Sequence, residues 1–290
     1  MSLKHILPGK LGFGTAPLGN MFRDIPEDEA LATVEAAWND GIRYFDSAPF
    51  YGAGLAELRM GEALAGKPRG EYVISTKVGR VILDEVEDVS ARRQGEKAGV
   101  FAHGRTNRIV NDYSRDATLR SMEDSLRRLR TDHVEIVFVH DLARDFWGDE
   151  WIAHFEEART GAFRALDRLR DEGVIRAWGL GVNLCEPIET LLDLQEPRPD
   201  GFLLAGRYTL LDHDRALQRV MPTLAERDLT GDGVADWCEW LAGEVRERQQ
   251  VGNGQVVIFE NDEAYRFVGD APVRKLIIKV TVEGGYFKNK

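Results

Sequence analysis

The sequence predicts an α/β fold of the (β/α)8 TIM-barrel type, incomplete or closed atypically by a divergent C-terminal segment. Three observations carry that prediction. Short apolar runs rich in β-branched or aromatic residues alternate with amphipathic stretches at helical spacing, the pattern of strand–helix units wound around a parallel sheet. Most of the strand-like runs are apolar throughout, as strands covered on both faces are. At 290 residues and 43% hydrophobic content the chain can bury one large core, and single α/β barrels reach this length.

Six units follow one another. The predicted strands are Leu11–Pro17, Tyr44–Ser47, Tyr72–Lys77, Val134–His140, Ala177–Val182 and Gly201–Leu204. The predicted helices are Asp28–Trp38, Ala56–Ala65, Arg115–Arg130, Thr160–Asp171, Pro187–Leu194 and Asp214–Arg227. Pro26, Glu27 and Asp28 mark the start of the first helix and Asp116 that of the third, since carboxylates are favoured where the helix dipole is positive. The polar stretch between Lys77 and Arg115 is too long for an ordinary βα connection and predicts a lid or substrate loop over the barrel mouth. The glycines of GKLGFGTAPLGN do not form a dinucleotide fingerprint, because the third falls off the required spacing and the segment reads as a strand.

After Arg227 the rhythm breaks. A helix is predicted over Trp237–Gln250, followed by strand-like runs Gln255–Glu260 and Lys275–Val282 with Gly-rich joins. The expected division is a barrel portion, 1–227, and a divergent segment, 228–290. Its two runs either close the barrel as replacement strands or pair as a small hairpin beside it. Open sheet edges are normally covered, so some closure by the tail is expected.

The net charge of -11, with no long block of positive charge, argues against a grip on nucleic acid or anionic lipid, both of which need a basic patch. No stretch approaches the roughly 20 apolar residues that would span a bilayer. Cys185 and Cys238 are too few for a disulfide framework, and MSLKHILPGK lacks the apolar run of a secretory signal, which together suggest a reducing, cytoplasmic setting. A small neutral substrate is compatible with this balance.

In a βα barrel the active site gathers where the strands end. Asp46 ends the second strand in YFDSAPFYG, Tyr51 follows in the loop, Lys77 ends the third strand in VISTK and His140 the fourth in VFVHD. Singly each has a structural reading: a turn cap, a packed loop residue, a snorkelling lysine, a hydrogen-bonded rim histidine. Together they contain a tunable acid/base, a cation that favours its phenolate, an anchor for that cation and a hydrogen-bond donor for a carbonyl. Carbonyl reduction needs those parts.

The segments GFGTAPLGN, FDSAPFYGAGLAE, STKVGR, VHD, WGLGVN and AGRYTLLD together resemble the aldo-keto reductases, over roughly Leu11 to Arg227. The resemblance implies Tyr51 as acid/base, with Asp46, Lys77 and His140 in support. It implies that Gly14 and Thr15 line the cofactor cleft and that Asn183 holds the nicotinamide carboxamide of NADP or NAD. The wording is similar to the branch that oxidises free aldoses at C1, or pyridoxal, so the implied substrate is a small-molecule carbonyl or sugar. Nothing after Arg227 matches the family's grip on the cofactor phosphates.

In that place stands DLTGDGVADWCE, which has EF-hand spacing: Asp228, Thr230, Asp232, Val234 through its carbonyl, Asp236 and Glu239 at ligand positions, and Gly233 at the sharp turn. Calcium is the cation such an oxygen set suits. Thr230 and Ala235 depart from the pattern, and a polar turn between helices is the alternative. Two functions are therefore expected to compete: an NAD(P)-dependent oxidoreductase, and a catalytically silent barrel acting in calcium binding or protein interaction through its tail.

Overall fold

A computed structural model describes residues 3–9, 11–21, 23–89, 100–194, 196–208 and 212–227, together with the short strands at 255–257 and 266–268. The chain divides into two compact units, Met1–Cys238 and Glu239–Lys290.

The first unit is built around a curled sheet of six parallel strands. In chain order its elements are β1 (Phe13–Gly14), α1 (Glu27–Asn39), β2 (Tyr44–Asp46), α2 (Leu55–Leu64), β3 (Val73–Val78), β4 (Arg80–Val86), β5 (Asn107–Asn111) and α3 (Arg115–Leu129). Then come β6 (Ile136–His140), α4 (Arg144–Trp147), α5 (Trp151–Thr160), α6 (Ala162–Asp171), β7 (Ala177–Val182), α7 (Cys185–Asp193), β8 (Gly201–Leu204) and α8 (Met221–Glu226). The sheet order is β1-β2-β3-β6-β7-β8, each strand parallel to its neighbour. Helical crossovers therefore return the chain to the same end after every strand, and all the strands finish at one rim.

Local chemistry explains the elements. Every residue of β3, β6 and β7 is buried, as expected of strands with cover on both faces. Helix α3 opens on Ser114, whose side chain accepts from Ala117 N, and turns Ala117, Ser121, Met122, Ser125 and Leu129 inward at helical spacing. Strands β7 and β8 approach so closely that a Cβ on Gly179 would lie 1.7 Å from the Gly201 carbonyl oxygen, so only glycine fits there.

At the floor of the sheet, where the strands begin, a 3-10 turn at Leu3–His5 brings Leu3 and Ile6 onto Val73, Ile136, Phe138 and Ala177. Arg69 and Glu135 pair there at 2.9 Å. Among the described residues no helix is long and apolar enough to cross a membrane.

The structure departs from the sequence reading in particular places. The first strand is confined to Phe13–Gly14, because the chain turns at Thr15 into a 3-10 turn, Ala16–Gly19, and Pro17 has no N–H for a ladder. The predicted helix Thr160–Asp171 is α6, which starts two residues later because the chain breaks at Gly161, where Ala162 N donates to the Tyr113 carbonyl at 2.8 Å. Helix α5 was not foreseen, although Trp151, Phe155 and Ala158 recur at helical spacing. The predicted helix Asp214–Arg227 begins as a π-helical turn, Ala216–Val220, before α8. Within the long stretch after Lys77, β4 and β5 pair antiparallel.

Of the second unit, β9 (Gln255–Val257) pairs antiparallel with β10 (Arg266–Val268). The predicted partner run Lys275–Val282, the helix Trp237–Gln250 and the calcium loop residues Asp228, Thr230, Asp232, Val234, Asp236 and Glu239 lie outside the described residues.

Candidate active site

The rim collects ionisable side chains because parallel register puts successive strand ends side by side. Asp46 pairs with Ser75 across β2 and β3, and Lys77, two residues further, points the same way. Its Nζ donates to Asp46 Oδ2 at 2.6 Å and to the Ser47 carbonyl at 2.8 Å, and the side chain is 1% exposed. The second Asp46 oxygen accepts from Ser75 Oγ at 2.6 Å, and Ser75 Oγ lies 2.9 Å from the Tyr44 hydroxyl. Thr15 is fully buried, with its hydroxyl 2.9 Å from the Asp46 carbonyl oxygen and 2.8 Å from Ser47 Oγ. Thr15 thus braces the Asp46 segment.

Tyr51 sits in the turn after β2, where Gly52, Ala53 and Gly54 all adopt left-handed backbone. A Cβ on Gly52 would lie 2.3 Å from the Gly19 carbonyl oxygen, so the turn presses directly onto the 3-10 turn after β1. This folds the Tyr51 ring over Lys77, whose Nζ is 4.8 Å from the ring centroid. The His140 ring stands edge-on at 5.7 Å, and Phe101 closes the other side at 5.6 Å. Asp46, Tyr51, Lys77 and His140, drawn from three strand ends and one loop, form a single cluster.

Burial and nearby charge shift three of them. Burial raises the Tyr51 phenol above its ordinary value; Lys77 pulls it down through charge and a hydrogen bond but does not win. Lys77 thus favours the phenolate as expected, but desolvation is the larger effect and the net shift is upward. Burial opposes the charge on Lys77, yet Asp46 and then Tyr51 outweigh it and hold the ammonium above its ordinary value. His140 is driven well below the usual imidazole range by burial, then Lys77 and Arg80, so it is neutral.

Gly14 ends β1 at the exposed rim with open space where a Cβ would stand. Asn183 follows β7, half-buried, and its Nδ2 donates to Asp145 Oδ2 at 2.9 Å. His140 pairs with Gly181 across β6 and β7, so Asn183 lies two residues beyond the histidine's neighbour on the same rim. Open backbone, a carboxamide and a buried, unpartnered His140 Nδ1 fit the uncharged, hydrogen-bonding nicotinamide end of a dinucleotide. Among the described residues no cluster of His, Cys, Asp and Glu could hold a metal ion.

Sequence reasoning overlooked the next ring of residues. Arg80 opens β4 and pairs with Asp141 at 2.7 Å, both buried. The guanidinium lies 4.0 Å from the Phe50 ring centroid and 5.0 Å from that of Phe146. Asp141 has left-handed backbone, φ 52°, and the only signal in the sequence was an acid directly after the strand-end histidine. The far part of the stretch after β3 is tied to the rim: Phe101 N donates to the Met21 carbonyl, Asn20 Nδ2 to that of His103, and Arg105 N to that of Gly52. A segment expected as a lid or substrate loop thus places Phe101 beside Tyr51.

The Aldo/keto reductase family model matches residues 10–231. The chain is 42% identical over 206 residues to pyridoxal 4-dehydrogenase of Microbacterium luteolum, covering 70% of this chain and 59% of that protein. It is 37% identical over 217 residues to D-threo-aldose 1-dehydrogenase of a Pseudomonas species, covering 74% and 62%. The chain therefore spans less than two thirds of the length of these relatives. An aldo-keto reductase from Bacillus halodurans in its holo form superposes with a TM-score of 0.51 at 26% identity, covering 77% of this chain and 59% of that one.

Proposed function

The chain belongs to the aldo/keto reductase family, and on that premise we propose that it is an NAD(P)-dependent oxidoreductase acting on an aldehyde, a ketone or C1 of an aldose. The observation that carries the reading is the buried Lys77, paired with Asp46 beneath the Tyr51 ring, with His140 edge-on to the same ring.

The nicotinamide, when bound, supplies or accepts the hydride. Gly14 and Asn183 hold that end of the cofactor, and Thr15 contributes by bracing Asp46. Tyr51 carries the proton to or from the substrate oxygen. Lys77, locked by Asp46, lowers the cost of leaving that oxygen as a phenolate, and neutral His140 orients the carbonyl through its N–H. Because the Tyr51 phenol sits above its ordinary value, it is a donor throughout the neutral range, so reduction is ready at neutral pH. Oxidation needs the phenolate as acceptor and therefore speeds up as pH rises. The substrate is a small molecule, with pyridoxal and free aldoses as the first candidates from the relatives' names, and the setting is cytoplasmic.

Calorimetric titration with NADPH and NADH tests this reading, followed by an activity screen over pyridoxal and free aldoses. Micromolar cofactor binding and turnover of one of these compounds support it. Absence of binding at millimolar cofactor overturns it.

A further inference from the structure

Two buried nitrogens at the rim have no hydrogen-bond partner among the described residues, Arg80 Nε and His140 Nδ1. Buried polar atoms are almost always satisfied, and two lapses side by side next to the cluster call for a physical reason. The groups share a neighbour. Asp141 Oδ2 lies 2.7 Å from an Arg80 terminal nitrogen and 3.4 Å from His140 Nε2.

Asp141 is itself fixed on every side. Its N–H donates to the Gly181 carbonyl at 2.9 Å, and its carbonyl accepts from Trp147 Nε1 at 3.1 Å. The residue before it is held too, because the Tyr113 hydroxyl donates to the His140 carbonyl at 3.0 Å. With the backbone held and one carboxyl oxygen on Arg80, the carboxyl group stays within 3.4 Å of His140 Nε2.

We propose that Asp141 is a positioning residue for His140, its carboxyl group deciding which imidazole nitrogen carries the single proton. This rests on the oxidoreductase reading above, in which that N–H orients the substrate carbonyl. With the carboxylate ionised and paired to Arg80, the favourable arrangement is Nε2–H facing Asp141, and Nδ1 is a bare acceptor. When Asp141 takes one proton from solvent, the carboxyl O–H donates to Nε2, and the imidazole keeps its one proton on Nδ1. The imidazole stays neutral in both states, and the net change is the one proton on Asp141.

The charges around Asp141 place the change where it can matter. Burial raises the carboxyl group, Arg80 of β4 lowers it, Asp145 of α4 raises it and Lys77 of β3 lowers it, leaving it at about 7. The Tyr51 and Tyr113 phenols also face it, both held protonated above their ordinary values by burial.

Nitrogen spectra of isotope-labelled histidine in the full chain distinguish the two neutral tautomers directly, with His140 assigned by its loss in His140→Gln. The wild-type protein should pass from mostly Nδ1–H to mostly Nε2–H as pH rises through about 7. Asp141→Asn should abolish the crossover and the matching inflection in the kcat/KM profile, and Arg80→Gln should move the crossover to higher pH. A single tautomer throughout in the wild type, or an unchanged crossover in Asp141→Asn, overturns the proposal. If Asp141→Asn does not fold, the wild-type titration alone decides. The spectra need no turnover, so a crossover in a protein that reduces nothing contradicts the proposed function and leaves the role of Asp141 standing.

Discussion

At the floor of the sheet Arg69 and Glu135 form an ion pair, and at the rim of the same strands Arg80 and Asp141 form another; their surroundings differ completely. Arg69 donates to Thr131 Oγ1, to the Tyr72 and His133 carbonyls and to Glu135, while Glu135 also accepts from Ile74 N. Every strong donor has an acceptor. Arg80 reaches Asp141 through one terminal nitrogen, its Nε has no partner, and Asp141 is pushed up to about 7. The saturated pair ties the segments before β3 and β6 together. A buried pair left short of partners is costly unless it answers to something, and here it touches His140.

The comparison can be broken from either end. The largest effect is expected at the rim: Lys77→Met leaves the Asp46 carboxylate, 13% exposed, without its cation, which should cost about 3 kcal/mol in chemical denaturation and remove turnover as well. Retained turnover would mean that the Tyr51 proton needs no neighbouring charge. At the floor, Arg69→Met should also destabilise, but less, because Glu135 keeps the Ile74 N–H and His133 Nε2 as partners once the guanidinium is gone. Its kcat/KM per folded molecule should not change, and an altered value would remove the distinction between the two ends.

A smaller effect separates the pairs by pH. The folded Asp141 carboxyl group sits at about 7, above its ordinary carboxylate value, so the folded state binds that proton more tightly than the unfolded chain does. Stability from this proton is fully present below the ordinary carboxylate range and is lost as pH rises to about 7. Asp141→Asn should flatten the fall in melting temperature across that interval. A slope identical to wild type would mean that Asp141 is ionised in the fold at all pH values tested.

The fold was largely legible in the sequence, and the chemistry of the rim only partly. The βα rhythm is a matter of local period, so all six sheet strands lie within the predicted runs or within one residue of them, and the family model independently supports the barrel type. The residues that end strands could be named because parallel strands finish together. What could not be read depends on contacts distant in sequence. The break at Gly161 exists because the Tyr113 carbonyl takes the Ala162 N–H. Thr15, expected at the cofactor cleft, has its hydroxyl turned onto Asp46 and Ser47. The net direction of the Tyr51 shift depends on how far burial outweighs Lys77, and Arg80 meets Asp141 only because the ends of β3 and β6 lie side by side in the sheet.

The most direct test of the account compares wild type with Tyr51→Phe in both reaction directions, with cofactor affinity measured on the same samples. Deleting the hydroxyl removes the proton route alone, so turnover should fall by about 10²–10⁴-fold while NAD(P)H affinity and melting temperature stay as in wild type. Turnover that survives the substitution would contradict the assignment of the rim as a carbonyl oxidoreductase site built around Tyr51.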